Sequence, residues 1–170
     1  DTWSEPMIEP NSKALFEAHC GRKMRCEKAV SPAANAIVLF YLTCDMVTNG
    51  HIWEPYFEPK MAYSYDGGQS FSEARLFVHE AGRVYDACMH DGKIFVLFYA
   101  NAELPGIAHL REYEYRLYVS EDAGRTFRLR SVLPFQSTMH TFYGNFVFTP
   151  DGRLIPYVYD ELDERNLKLL

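Results

Sequence analysis

Three apolar runs punctuate the chain, Ile37 to Leu42, Ile94 to Tyr99 and Leu154 to Tyr159, and each follows a short turn: Asn35-Ala36, Asp91-Gly92-Lys93 and Asp151-Gly152-Arg153. Short apolar runs bounded by turn signals predict buried strands. Ahead of each turn lies a second stretch of strand character, Lys28 to Val30, Val84 to Met89 and Asn145 to Phe148. A hairpin is therefore expected around each turn, and no helical period runs long enough to compete.

The hairpins belong to a larger repeat. Ser64-Tyr65-Asp66-Gly67-Gly68-Gln69-Ser70-Phe71 and Ser120-Glu121-Asp122-Ala123-Gly124-Arg125-Thr126-Phe127 both read S-x-D-x-G-x-[ST]-F and start 56 residues apart. Asn35 precedes Ser64, and Asp91 precedes Ser120, by the same 29 positions. That offset puts the box of a third copy at position 180, beyond Leu170, and Thr2-Trp3 fits the close of an earlier box. The expected unit is an inner strand, a turn, an apolar second strand, a loop, a third strand ending at the box, and a fourth strand. A period of this length in an all-β pattern selects a β-propeller of four-stranded antiparallel blades. The expected division is 1–27 as the end of a preceding blade, 28–82 and 83–140 as blades, and 141–170 as an incomplete one. About three blades are thus expected, of something larger, since closed propellers typically have about four to eight. Any leader would then lie upstream of Asp1.

Composition changes this picture little. With 48% hydrophobic residues the chain can build a core, and twelve Tyr and twelve Phe favour pleated surfaces. A net charge of −6 offers no general attraction to phosphate backbones, so nucleic acid is not an expected partner. No apolar run reaches membrane-spanning length, so no membrane insertion is expected. Cys20, Cys26, Cys44 and Cys88 show no paired spacing and no histidine at zinc spacing. No metal or cofactor is expected, and the thiols are expected to be buried, or joined in a disulfide if the protein is secreted.

Local chemistry explains the box. The Asp carboxylate and the hydroxyls can bond the backbone of the turn, Gly68 and Gly124 permit positive φ, and Phe71 and Phe127 are expected to wedge between neighbouring sheets. The two copies resemble the Asp-box (BNR repeat) of sialidases and related propellers, and the resemblance covers essentially the whole chain. It implies a propeller, most often six-bladed, with boxes at the periphery and outside catalysis. Ser64, Asp66, Gly68, Ser70, Phe71, Ser120, Asp122, Gly124, Thr126 and Phe127 are accordingly structural.

The resemblance also implies glycan chemistry. Sialidases hold a sugar carboxylate with arginines and use a tyrosine paired with a glutamate, together with an aspartate acid/base. Their first arginine lies in a Phe-Arg-Ile-Pro sequence; here the nearest analogue is Gly82-Arg83-Val84-Tyr85, with Arg25 a second candidate. Tyr143-Gly144-Asn145-Phe146 followed by Asp151-Gly152-Arg153-Leu154-Ile155-Pro156 is similar to a further sialidase pattern and puts Asn145 among substrate-binding candidates.

In a propeller the pocket forms where the inner strands start and the loops between second and third strands converge. This selects Arg83, Tyr85 and Asp86: a fork for a carboxylate, a phenol for proton transfer, and a carboxylate that otherwise caps a turn. Arg83 can equally form a salt bridge between blades. Asp45, Glu54 and Glu58 are candidate acids in a loop that also carries His51, Trp53 and Tyr56; the bland reading is solvated carboxylates, whereas Trp53 suits stacking on a sugar. His140 and Tyr143 could serve as base and acid in elimination from a uronic acid, with a core histidine as the alternative.

The expectation is a sialidase-like exo-glycoside hydrolase removing a terminal sugar, acidic or neutral, extracellular or periplasmic by analogy. The alternatives are a polysaccharide lyase acting on uronic-acid glycans and a non-catalytic glycan-binding propeller. The partner in every case is an oligosaccharide or polysaccharide.

Overall fold

The computed structural model describes Glu5 and residues 22–45, 56–103, 111–134, 141–160 and 168–169. These residues form strands and turns only, and no helix occurs among them. Sheet one orders β1 (Arg22–Ala33), β2 (Ala36–Asp45), β3 (Lys60–Ser64) and β4 (Arg75–Leu76) side by side. Sheet two repeats the arrangement with β5 (Gly82–His90), β6 (Lys93–Glu103), β7 (Arg111–Ser120) and β8 (Arg128–Val132). Sheet three holds β9 (Thr141–Phe148), β10 (Leu154–Asp160) and β11 (Lys168–Leu169). Every neighbouring pair is antiparallel.

The apolar runs fall inside β2, β6 and β10, as the pattern predicts. The turns before them take a left-handed backbone, with φ of 61° at Asn35, 70° at Gly92 and 80° at Gly152. The first strands differ from expectation: β1 begins at Arg22 and β9 at Thr141, ahead of Lys28 and Asn145. The segment from Arg22 to Lys28 is rich in charge and carries no apolar alternation. It pairs with Tyr41 to Asp45 of β2, and its Glu27 and Lys28 find partners on sheet two, which no local pattern records.

The sheets pack in series, face on face. One core joins Val38, Phe40, Met61, Tyr63 and Phe77 of sheet one to Val84, Ile94, Val96 and Phe98 of sheet two. On the opposite face of sheet two, Phe95, Leu97, Tyr99, Tyr115 and Leu117 meet Phe146 and Val158 of sheet three. Strand β6 is therefore covered on both sides, which is why its sequence is apolar without alternation. Close approach fixes two glycines: a Cβ on Gly144 would lie 2.7 Å from Leu97 Cδ2 and 2.9 Å from Tyr115 Cε1, and one on Gly82 would collide with the Tyr99 carbonyl oxygen.

The two boxes have the same internal geometry. Ser64 Oγ donates to Asp66 Oδ1 at 2.7 Å and accepts from Gly68 N at 2.8 Å, and Ser120 Oγ does the same with Asp122 and Gly124 at 2.7 and 2.8 Å. The second carboxylate oxygen takes the Ser70 hydroxyl at 2.6 Å in one box and the Thr126 hydroxyl at 2.6 Å in the other. Gly68 and Gly124 have φ of 91° and 89°. Hydrogen bonds from these partners hold both carboxyls below the ordinary range, Asp122 at about 2.

Each box phenylalanine packs differently. Phe127 lies 5.8 Å from Phe40 and 5.0 Å from Phe77, both of sheet one, so it wedges between sheets as expected. Phe71 packs with Leu39, Tyr41 and Ala62 on the far face of sheet one, where no further sheet lies among the described residues. The second box is also tied to sheet one by polar contacts. The Tyr63 hydroxyl donates to the Gly124 carbonyl, and Arg75 Nη2 donates to the Tyr63 oxygen at 2.7 Å and to the Arg125 carbonyl at 2.6 Å. Thr2 and Trp3 lie outside the described residues.

Candidate functional site

The first strands β1, β5 and β9 lie next to one another, and each carries an irregularity at the same point of its register. In β1, Cys26 faces Tyr41 and Lys28 faces Phe40, leaving Glu27 as the extra residue. In β5, Val84 faces Phe98 and Asp86 faces Leu97, leaving Tyr85. In β9, Phe142 faces Tyr159 and Gly144 faces Val158, leaving Tyr143. These three residues are spaced by 58 positions. A bulge re-aims side chains and is common beside functional sites.

The bulges surround one cavity of about 440 Å³, lined by Cys26, Glu27, Lys28, Arg83, Val84, Tyr85, Gly144 and Asn145. Its size falls in the range of roughly 300–1,000 Å³ typical of small-molecule sites. All three sheets contribute to it, so the repeat builds the cavity and none of the sheets holds it alone.

An ion pair forms its floor. Arg83 Nε donates to Glu27 Oε2 at 2.6 Å and Nη2 donates to Oε1 at 2.8 Å, a bidentate bridge between sheets one and two. The two side chains are only 13% and 8% exposed, so the pair is screened from water. Burial alone would lower the guanidinium, but the Glu27 pairing outweighs it and Tyr56 adds to the rise, so Arg83 is held above its ordinary value. Its guanidinium carbon sits 5.2 Å from the centre of the Tyr85 ring. Of the two roles open to Arg83 in the sequence, the inter-sheet bridge is present in the structure.

Asp86 links all three sheets. Oδ1 accepts from Ala87 N at 2.9 Å and lies 3.7 Å from Lys28 Nζ, while Oδ2 accepts from Phe146 N of β9 at 3.2 Å. Its carboxylate is thus a brace of the first strands as well as a local cap. Tyr85 is buried, with its ring 5.2 Å from Tyr99 and 6.1 Å from Tyr115. Burial, then Tyr56 and Tyr115, push its phenol far above the ordinary range, with Arg83 opposing. At neutral pH it is a neutral hydroxyl, able to donate a hydrogen bond and unsuited to act as a base.

The structure gathers Arg83, Tyr85 and Asn145 at the cavity, with Asp86 against it. Glu58 stands apart: its side chain is half-exposed, lies 3.7 Å from His79 Nδ1, and does not line the cavity. Arg25 occupies the register position equivalent to Arg83, two residues before the bulge, but its side chain lies outside the described residues. So do the side chains of Asp45 and Tyr143 and the whole of His51, Trp53, Glu54 and His140.

Sequence reasoning passed over Glu27 and Lys28, and it gave Tyr56 no place at the first strands. The 58-residue spacing of Glu27, Tyr85 and Tyr143 was the available signal, hidden by the 56-residue spacing of the boxes. Cys26 also departs from expectation, for its thiol is exposed at the cavity instead of buried; Cys44 is buried, Cys88 half-buried, and Cys20 lies outside the described residues. No group of three or more metal-ligating side chains occurs among the described residues, and no helix there is long and apolar enough to cross a membrane. No protein-family model matches the chain, and no curated protein matches it.

Proposed function

We propose that the three sheets are consecutive blades of an Asp-box β-propeller, and that the cavity at β1, β5 and β9 is the glycan site of a sialidase-like exo-glycoside hydrolase. The observation that carries this reading is the convergence of three equivalent bulged strands on one cavity bearing Arg83, Lys28, Tyr85 and Asn145. In a propeller the first strands of the blades meet at the axis, and a polar, aromatic-walled cavity there suits the hydroxyls and ring faces of a sugar. Acid/base chemistry falls to Asp45 or Glu54, at the end of β2 and in the segment after it.

A binding-only propeller is the second reading. It is favoured by the commitment of the nearest carboxylates: Glu27 holds Arg83, and both Asp86 oxygens accept from backbone. The test is a turnover screen of the full protein on sialosides, arabinosides and uronate-containing polysaccharides, following reducing sugar and the ultraviolet absorbance of unsaturated product. Reducing sugar without absorbance is expected. Absorbance would replace the hydrolase with a lyase using His140 and Tyr143, binding without turnover would leave the binding module, and neither binding nor turnover would overturn the glycan reading.

A further inference from the structure

Two polar side chains of the cavity stand apart from the ion pair at its floor. Arg83 and Glu27 neutralise each other through two hydrogen bonds. Among the described residues Lys28 has no such partner: its ammonium carries three donors, and its one acidic contact there is Asp86 at 3.7 Å, beyond hydrogen-bond length. Asp86 is in turn engaged by Ala87 N and Phe146 N, which divides its charge among several donors. The Lys28 side chain is 34% exposed and lines the cavity.

Asn145 faces the same space from sheet three. It is half-buried, it lines the cavity, and it directly precedes Phe146, whose N–H is fastened to Asp86. Asp86 therefore brings Lys28 of β1 and Asn145 of β9 toward one place, with the Tyr85 bulge between them. An ammonium and an amide lining one cavity offer a positive charge together with a donor and an acceptor, the complement of a sugar ring that carries an acid group and hydroxyls.

We propose that Lys28 and Asn145 are the specificity-determining pair of the cavity, Lys28 taking the anionic substituent of an acidic sugar and Asn145 its ring hydroxyls, while Arg83 is a positioning residue locked by Glu27. This rests on the reading of the cavity as a glycan site. It moves the charge recognition from the arginine that the sequence nominates to a lysine it does not.

The test is calorimetric titration of the full protein with glucuronate, N-acetylneuraminate and glucose, repeated for K28M, K28R and N145A, with melting curves to confirm folding. The wild type is expected to prefer the two acids over glucose, and the preference to weaken with added salt. K28M is expected to lose roughly 10- to 100-fold in affinity for the acids, as for one hydrogen bond to a charged group, and to bind glucose as before. K28R should keep the preference, and N145A should weaken acids and glucose alike. A folded K28M that still prefers acids, or that loses glucose equally, overturns the proposal and leaves the glycan reading standing. A wild type that binds glucose and the acids equally does the same. A wild type that binds none of the three sugars overturns both.

Discussion

Glu27→Ala is expected to destabilise the protein by about 3–5 kcal/mol, the usual result of removing one partner from a buried ion pair. The loss comes less from the missing attraction than from the Arg83 guanidinium left without a counter-charge and largely out of water, since only 13% of that side chain is exposed. The same reasoning sets the control. Replacing both partners by apolar residues, Glu27→Leu with Arg83→Met, removes the stranded charge and should recover most of the stability. Denaturant unfolding of the two variants measures the difference. A Glu27→Ala protein as stable as the parent would mean that the bridge between sheets one and two does not form.

The second large effect belongs to the boxes and has a definite pH window. Ser120 is buried, and its hydroxyl is the acceptor for the Gly124 N–H. Ser120→Ala should therefore cost about 1–3 kcal/mol, the penalty for orphaning a buried donor. At roughly 2–4 °C per kcal/mol for a chain of this size, the melting midpoint falls visibly. Asp122 adds the pH dependence. Its carboxyl lies at about 2 in the folded protein against an ordinary 3.8, so the folded state binds protons more weakly than the unfolded chain. The stabilisation is complete above the ordinary value and is lost as the pH falls from about 4 to about 2. Asp122→Asn should be less stable than the parent at neutral pH, and the gap should close across that window. A gap that is constant with pH would show that the carboxylate's ionisation does not matter to the fold.

How much of this was legible in the sequence depended on how local the chemistry was. The boxes were readable because serine, aspartate, glycine and hydroxyl lie within eight residues and satisfy one another, so spacing alone specifies the turn. The apolar runs were readable because β2 and β6 are covered on both faces. The start of β1 was not, because Glu27 and Lys28 look like surface residues until Arg83 and Asp86 of another sheet are placed beside them. Arg83 itself was visible as a functional arginine or a bridge, but its partner, 56 positions away, could not be chosen from the sequence. The bulges were hidden because the stretch from bulge to turn varies, eight positions from Glu27 to Asn35 and six from Tyr85 to Asp91, so the bulges are 58 residues apart where the boxes are 56 apart.

The central claim, that sugar occupies the cavity where the three first strands meet, can be measured at Cys26. Its thiol is exposed at the cavity, whereas burial, then Asp86, push the Cys88 thiol up to about 11 and make it a slow internal reference. The full protein would be alkylated with and without glucuronate or N-acetylneuraminate, and modification at each cysteine followed by peptide mass mapping. With ligand at ten times its dissociation constant, modification of Cys26 should slow roughly tenfold while Cys88 is unchanged. Binding that leaves the Cys26 rate untouched would place the sugar elsewhere and contradict the account.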